Sequence, residues 1–104
     1  GSKLTSHSIE CGEVVLNLND TSVAVRGEKI DLTKNEFLIL KTLMEKQGKV
    51  VSREEIMERL WGNDEFVDDN TLTVNITRIR KKLEAAGVND FITTKRGLGY
   101  LVGA

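Results

Sequence analysis

The segment T-L-T-V-N-I-T-R-I-R-K-K-L, Thr71 to Leu83, predicts an amphipathic helix with an unusual outer face. At about 100° per residue, the large aliphatic side chains fall on one side, which predicts the face that packs on a core. Those residues are Leu72, Ile76, Ile79 and Leu83. The opposite side consists of Asn70, Thr71, Val74, Thr77, Arg78 and Lys81. Exposed helix faces usually favour long charged residues, but the first two outward turns here are short and hold no acid.

The outward face has the chemistry to read the edges of DNA bases. Small polar side chains and Val74 let a helix approach another surface closely, and Thr or Val methyl groups can contact the methyl group of thymine. Arg78 can reach O6 and N7 of guanine through two hydrogen bonds. The helix N-terminus attracts anions, which makes Asn70 and Thr71 candidate phosphate ligands. A plain surface helix with β-branched residues is the competing interpretation.

Charge is unevenly distributed along the 104 residues, whose formal net charge is −1. Residues 1–70 hold 9 basic and 14 acidic side chains, net −5, whereas residues 71–104 hold 6 basic and 2 acidic ones, net +4. A positive end on a neutral body is typical of a polyanion-binding surface, although a solvated charged face gives the same pattern. Arg80 is predicted near the core boundary, where it pairs with an acid of the 64–69 loop or reaches a phosphate. The sequence favours neither.

The pattern before this helix predicts a sheet and two further helices. Alternating apolar residues in 12–32 indicate three or four short antiparallel strands. Apolar stripes at helical spacing indicate helices over 33–47 and 52–62, each opened by a potential capping box. The capping pairs are Thr33 with Glu36 and Ser52 with Glu55.

The pattern after the second helix predicts a third helix and a hairpin. Asp68 or Asp69 can cap the third helix, over 69–86. Strand-like residues around a Lys-Arg-Gly turn indicate a hairpin over 91–102. An arginine protruding at such a tip, Arg96, fits a narrow minor groove, although most turns of this kind are only solvated.

The length predicts a single α+β domain, with residues 1–8 as a leader that carries a tag remnant and 9–104 as the folded unit. Apolar residues make up 39% and charged residues 30%, as in globular proteins. No apolar run approaches the ~20 residues of a membrane span. Cys11 is the only cysteine, so no internal disulfide can form, which fits the cytoplasm. A packed side chain there is favoured over a reactive thiol.

An enzymatic role is not expected. Catalysis needs a nucleophile with a base, paired carboxylates or a metal cluster, and the chain has one His, one Cys and no metal-ligand spacing. No phosphate-binding loop is present either. Without a metal-ligand set and without such a loop, neither a metal nor a cofactor is expected. The predicted sheet also lacks the aromatic pattern of RNA-binding sheets.

The third helix and the hairpin together resemble the effector domain of OmpR/PhoB-type response regulators. The matching runs are D-D-N-T-L-T-V-N-I-T-R-I-R-K-K-L, 68–83, and I-T-T-K-R-G-L-G-Y, 92–100. The resemblance extends over nearly the whole chain and is greatest to regulators of cell-envelope and antimicrobial-peptide stress in Gram-positive bacteria. It implies a winged helix-turn-helix with an N-terminal antiparallel four-stranded sheet, three helices and a C-terminal β-hairpin wing.

The resemblance implies sequence-specific binding of promoter double-stranded DNA, with recognition helix 69–86 in the major groove and wing 91–102 in the minor groove. It assigns base contacts to Thr73, Val74, Asn75 and Arg78. It assigns phosphate contacts to Arg53, Trp61, Asn70, Thr71, Thr77, Arg80, Lys81, Thr94 and Tyr100. Lys95 and Arg96 would enter the minor groove. Thr73 and Asn75 flank the outward sector, so their contacts depend on how the helix rolls in the groove. Core packing is the default role of Trp61.

The resemblance also implies partners. Family members pair head-to-tail on direct repeats, and the 62–69 loop matches a segment that meets RNA polymerase. A full-length member carries a receiver domain that a sensor histidine kinase phosphorylates. The alternative is a protein-interaction winged helix that binds no DNA and docks a partner through the acidic loop or the sheet. A protein-docking face would favour aromatic residues, which the third helix lacks.

Overall fold

The computed structural model describes residues 8–61 and 68–103, excluding the side chain of Trp61. The chain forms a four-stranded antiparallel sheet, three helices and a C-terminal hairpin, as predicted. The strands are β1 (Ser8–Cys11), β2 (Val14–Asn17), β3 (Ser22–Val25), β4 (Glu28–Asp31), β5 (Ile92–Lys95) and β6 (Gly99–Val102). The helices are α1 (Lys34–Glu45), α2 (Arg53–Trp61) and α3 (Asp69–Ala85).

The N-terminal sheet runs β1-β2-β3-β4, each strand antiparallel to the next, and buries one face. Val14 pairs with Val25 and Leu16 with Val23, and all four side chains are at most 1% exposed. The apolar alternation that predicts the strands therefore marks the buried face. β1 begins at Ser8, so this residue joins the sheet although the folded unit is predicted to begin at residue 9.

Both predicted capping pairs start helices, but only the first forms a full capping box. Thr33 Oγ1 accepts a hydrogen bond from the Glu36 N–H at 3.2 Å, and the Glu36 carboxylate accepts one from the Thr33 N–H at 2.9 Å. Ser52 Oγ accepts from the Glu55 N–H at 3.1 Å, as expected. The Glu55 carboxylate instead forms an ion pair with Lys46, which follows α1. The second pair therefore forms only half of a capping box, because the Glu55 carboxylate binds Lys46 at the end of α1 and not the Ser52 N–H.

The hydrophobic core lies between the N-terminal sheet, the helices and the hairpin. The predicted inner face of α3 is confirmed, since each of its four aliphatic side chains is at most 1% exposed: Leu72, Ile76, Ile79 and Leu83. α1 ends at Glu45, two residues before the predicted end. The N–H groups of Lys46 and Gln47 donate three residues back, to Leu43 and Met44, which tightens the last turn.

The hairpin packs against the segment that precedes α2. Val51 and Tyr100 exchange two backbone hydrogen bonds, of 2.8 and 2.9 Å, and the Gly48 N–H donates to the Val102 carbonyl at 2.7 Å. Gly99 has a φ of 151°, and a Cβ atom there would lie 2.0 Å from the Val51 carbonyl oxygen. Glycine is therefore required for the approach of β6 to this segment.

Cys11 is a packed residue, as predicted. Its free side chain is 6% exposed, and burial raises the pKa of the thiol. Within residues 8–61 and 68–103, no helix has the length and apolar character of a membrane span. Over the same residues, no group of three or more His, Cys, Asp or Glu side chains is placed to hold a metal ion.

Candidate nucleic-acid interface

The outer face of α3 is exposed and contains no acid between residues 70 and 81. Val74, an aliphatic residue, is 45% exposed at its centre, with Thr73, Thr77 and Arg78 exposed around it. In the part of the chain that the structure describes, Arg78 makes no hydrogen bond or ion pair. An arginine whose five N–H donors have no partner among the described residues can donate to an acceptor on another molecule.

Two threonines on this face donate their hydroxyl protons to the backbone of α3. Thr73 Oγ1 donates to the Asp69 carbonyl and Thr77 Oγ1 to the Thr73 carbonyl, each at 3.0 Å. A threonine whose proton is engaged in this way offers a partner its methyl group and the oxygen lone pairs. The face around Val74 therefore presents methyl groups and acceptors, while Arg78 supplies the donors.

Asn75, an expected base-contacting residue, does not lie on the exposed face. Its side chain is 5% exposed, and its Nδ2 donates to the Thr71 carbonyl at 2.8 Å. It packs at the edge of the aliphatic face of α3 because position 75 lies about 40° around the helix from the buried Ile79 and about 60° from the buried Leu72. A base contact would require the side chain to leave this site, so we omit Asn75 from the proposed base-reading set.

The N-terminus of α3 already has an anionic cap. The Asp68 carboxylate accepts hydrogen bonds from the N–H and the hydroxyl of Thr71, both at 2.8 Å, and the first of these lowers its pKa most. Arg53, at the start of α2, pairs with Asp69 at 2.9 Å. Phosphate binding by Thr71 or Arg53 would therefore compete with a carboxylate, whereas Asn70 is exposed beside them.

Arg80 connects α3 to the wing, through partners that the sequence analysis did not name. Its Nε and Nη2 donate to the Ile92 carbonyl at 3.1 and 2.9 Å, and Nη2 also donates to Thr94 Oγ1 at 2.5 Å. The side chain is partly buried by these contacts. A backbone carbonyl as partner leaves no signal in the sequence, which explains why the expectation named only acids and phosphates.

The wing tip carries exposed side chains next to the start of α2. Arg96 is exposed and Lys95 half-buried, and with Tyr100 they line a groove whose other wall includes Ser52 and Arg53. Leu98, which the sequence analysis did not single out, is 64% exposed beside them. The sequence did contain a signal for Leu98, because an aliphatic residue is unusual in a Gly-rich turn, where polar residues predominate.

The other predicted phosphate contacts differ in accessibility. Thr94 and Lys81 are exposed, whereas Tyr100 is 6% exposed and packs in the core. The side chain of Trp61 and residues 62–67 of the predicted polymerase-contacting loop lie outside the described residues. The structure thus groups the outer α3 residues on one exposed face and the wing-tip cations at the end of the hairpin.

A family model described as transcriptional regulatory protein, C terminal, matches residues 27–102. The chain belongs to this family. This C-terminal domain is 54% identical over 91 residues to the sensory transduction protein BceR of Bacillus subtilis, a match that covers 88% of the chain and 39% of BceR. The chain therefore spans about two-fifths of the length of such relatives.

Two solved structures share the fold of this C-terminal domain. The C-terminal domain of the nisin resistance regulator NsrR, a lantibiotic response regulator, is 39% identical with a TM-score of 0.78, over 90% of this chain and 94% of that one. The DNA-binding domain of Klebsiella pneumoniae RstA, solved in complex with the RstA box, is 29% identical with a TM-score of 0.76, over 92% and 96%. These likenesses confirm the predicted family, the winged-helix fold and the role of a response-regulator output domain. NsrR also fits the predicted antimicrobial-peptide group.

Proposed function

We propose that this domain binds promoter double-stranded DNA sequence-specifically, with α3 in the major groove and the β5–β6 wing in the minor groove. The observation that carries the proposal is the exposed, acid-free face of α3, on which Arg78 has no intramolecular partner among the described residues. A major groove ~12 Å wide admits a helix whose outer side chains are short. The complex of RstA with its box supports the same use of the fold.

The proposed base-reading residues are Thr73, Val74 and Arg78. Arg78 donates two hydrogen bonds to guanine O6 and N7, the commonest specific contact in the major groove. Val74 and the threonine methyl groups contact thymine methyl groups, while Thr73 Oγ1 retains lone pairs for an amino group of adenine or cytosine. This division predicts a half-site that contains both a guanine and a thymine.

The proposed phosphate contacts surround this face. Asn70, Lys81 and Thr94 are exposed and make them most readily. Arg53 would first leave Asp69, and Thr77 would first withdraw its hydroxyl proton from the Thr73 carbonyl. The other members of the set that the family resemblance assigns are Thr71 and Tyr100, which are partly and fully buried, Trp61 and Arg80. Arg96 enters the minor groove with Lys95 beside it, where a narrow A·T-rich segment concentrates negative potential.

The full-length protein is proposed to be a cytoplasmic two-component regulator. Its missing part would include a receiver domain phosphorylated by a sensor histidine kinase, in keeping with the 39% of BceR that the chain matches. Phosphorylated copies would bind direct repeats as head-to-tail pairs. The 62–69 loop would contact RNA polymerase. Residues 9–104 are proposed as the folded unit, to which Ser8 of β1 is added.

The decisive experiment compares Arg78→Ala with Lys81→Ala, a matched control that also removes one exposed cation of α3. A half-site is first selected from random duplexes, and affinities are then measured on that site and on a random duplex. Arg78→Ala should weaken binding to the selected site by about 1–3 kcal/mol and relax preference at one base position. Lys81→Ala should weaken both duplexes alike and lower the slope of log affinity against log salt by about 0.9.

Two outcomes would contradict the proposal. Equal losses for Arg78→Ala on selected and random DNA would make Arg78 a phosphate contact, and the base-reading assignment would fail. An affinity of the unmodified chain that does not change between two salt concentrations would exclude phosphate-driven binding. The protein-interaction winged helix would then be the better description of the domain.

A further inference from the structure

The basic residues of α3 form two groups that differ in exposure and in their partners. Arg78 and Lys81 are exposed and have no hydrogen bond or ion pair within residues 8–61 and 68–103. Arg80 and Lys82 are partly buried and bind other elements of the fold. Arg80 donates to the wing, and Lys82 Nζ donates to the Asp31 carbonyl at 3.0 Å and pairs with the buried Glu36 at 2.6 Å. Half of the positive charge on α3 therefore serves contacts within the domain.

We propose that Arg80 is a positioning residue that fixes α3 and the wing relative to each other, so that Arg78 and Arg96 engage adjacent grooves together. This inference rests on the proposed function and replaces the phosphate contact that the family resemblance assigns to Arg80. The inference rests on three hydrogen bonds that the Arg80 guanidinium donates to Ile92 and Thr94 of β5.

The contacts of Arg80 use most of its donors. Three of the five N–H groups of the guanidinium point to the wing, and the two on Nη1 have no partner within residues 8–61 and 68–103. The planar fork of an arginine binds the Ile92 carbonyl through Nε and Nη2 at once, which fixes the direction of the side chain. A lysine ammonium is a point donor on a flexible stem and cannot reproduce this geometry.

Arg80 and the Val51–Tyr100 pair hold the wing from two sides. Val51 and Tyr100 join β6 to the segment before α2 through two backbone hydrogen bonds. Arg80 joins β5 to the recognition helix. Without Arg80, β6 would keep its backbone bonds to residues 48–51, but no side-chain hydrogen bond within the described residues would join β5 to α3. The helix α3 and the wing reinforce each other's binding to one duplex only when the domain holds them at the spacing of the two grooves. A loosely held wing therefore contributes less to affinity.

Salt dependence separates a positioning role from a phosphate contact. A phosphate-binding cation adds about 0.9 to the slope of log affinity against log salt, whereas a residue that only binds the protein affects the slope solely through the cations that it positions. The variants are Arg80→Gln, which removes the charge, and Arg80→Lys, which keeps the charge but not the fork. Lys81→Gln is the matched control, because it removes an exposed cation one position away.

The second readout is flank preference, the ratio of affinities for duplexes with A·T-rich and G·C-rich segments under the wing. Arg80→Gln should lower both this ratio and the salt slope to the values measured for Arg96→Ala and no further, because the loosened wing no longer brings Arg96 to the DNA. Arg80→Lys should lower both to the same values, since the charge alone does not restore the position of the wing. Lys81→Gln should reduce the slope and keep the ratio. A slope that falls by about 0.9 in Arg80→Gln and is restored in Arg80→Lys would overturn the proposal in favour of a phosphate contact.

A measurement on the unmodified chain tests the inference even if the Arg80 variants fail to fold. The Nε–H of Arg80 is followed by NMR in the free chain and after addition of the selected duplex. A positioning role requires slow hydrogen exchange and an unchanged hydrogen bond to the Ile92 carbonyl in both states. Loss of that bond on DNA binding would refute the inference. If the unmodified chain binds no DNA, the proposed function fails instead, while the Nε–H result in the free chain still stands.

Discussion

Replacing Gly99 by alanine should detach the wing, and Gly97→Ala provides a matched control two residues away. Both glycines have positive φ, 151° for Gly99 and 72° for Gly97. A Cβ atom at Gly97 meets nothing within 4 Å, whereas one at Gly99 would lie 2.0 Å from the Val51 carbonyl oxygen and 2.8 Å from the Ser52 Cα. Both substitutions thus place alanine at a positive φ, but Gly97 lies close to the left-handed region that alanine can adopt, whereas Gly99 lies outside it and also meets the collision.

The difference in unfolding free energy can be estimated from these contacts. A left-handed alanine costs about 1–2 kcal/mol, which is all that Gly97→Ala should lose. Relief of the Gly99 collision requires movement of backbone, because both nearest atoms are main-chain atoms. That movement breaks the two hydrogen bonds between Val51 and Tyr100, worth about 0.5–1.5 kcal/mol each. With backbone strain of about 1–3 kcal/mol, Gly99→Ala should cost roughly 2–6 kcal/mol.

Urea denaturation of the three chains measures this difference, since the midpoint shifts with stability when the slope is unchanged. DNA titration of folded Gly99→Ala should show the flank preference of Arg96→Ala, because the detached wing no longer presents Arg96 to the minor groove. Equal stabilities of the two glycine variants would refute the reasoning. So would a Gly99→Ala chain that keeps the flank preference of the unmodified domain.

Three further predictions concern the fold and the proposed interface. Ile76→Ala should lower the unfolding free energy by about 2–5 kcal/mol, measured by denaturation, because the side chain is 1% exposed in the core; a loss like that of exposed Val74→Ala would contradict its placement. The lowered pKa of Asp68 means that its capping contribution is present above about pH 4 and is lost as pH falls through the folded pKa. Acid titration of stability should therefore be shallower in Asp68→Asn, and identical profiles would count against the cap. Arg96→Ala should weaken binding most on A·T-rich flanks, and indifference to flank composition would remove the minor-groove assignment.

The elements of this domain could be predicted because local rules determine them. Period-2 apolar alternation marks the strands around Val14 and Val23, and period-3.6 spacing marks the buried face of α3. Thr33 with Glu36 gives the start of α1 within one residue. Only half of the second predicted capping box forms, because Lys46 binds the Glu55 carboxylate from the end of the neighbouring helix. Such competition depends on tertiary packing, which no local pattern contains.

The sequence predicted which face of α3 is exposed, but it did not predict the exposure and partners of every residue on that face. The acid-free outward sector correctly placed Val74 and Arg78 on the surface. The helical angle alone could not place residues at the edge of the sector, where a small roll buries Asn75 and turns Arg80 toward β5. At that edge, the nearest backbone acceptor determines the direction of a polar side chain. Those acceptors are the Thr71 carbonyl for Asn75 and the Ile92 carbonyl for Arg80.

The same distinction explains why a nearly neutral domain concentrates positive charge on α3. A helix that only attracted phosphate would gain from exposing every cation, yet Lys82 is held against the buried Glu36 and Arg80 against Ile92. Each engaged cation gives up attraction for DNA and anchors one side of the helix, to the N-terminal region or to the wing. Specific readout requires the exposed Arg78 to meet one base edge in a set orientation, which a mobile helix could not provide. We therefore expect affinity for random DNA to depend mainly on the exposed cations, Arg78 and Lys81, and discrimination between sequences to depend also on Arg80 and Lys82, which bind within the domain.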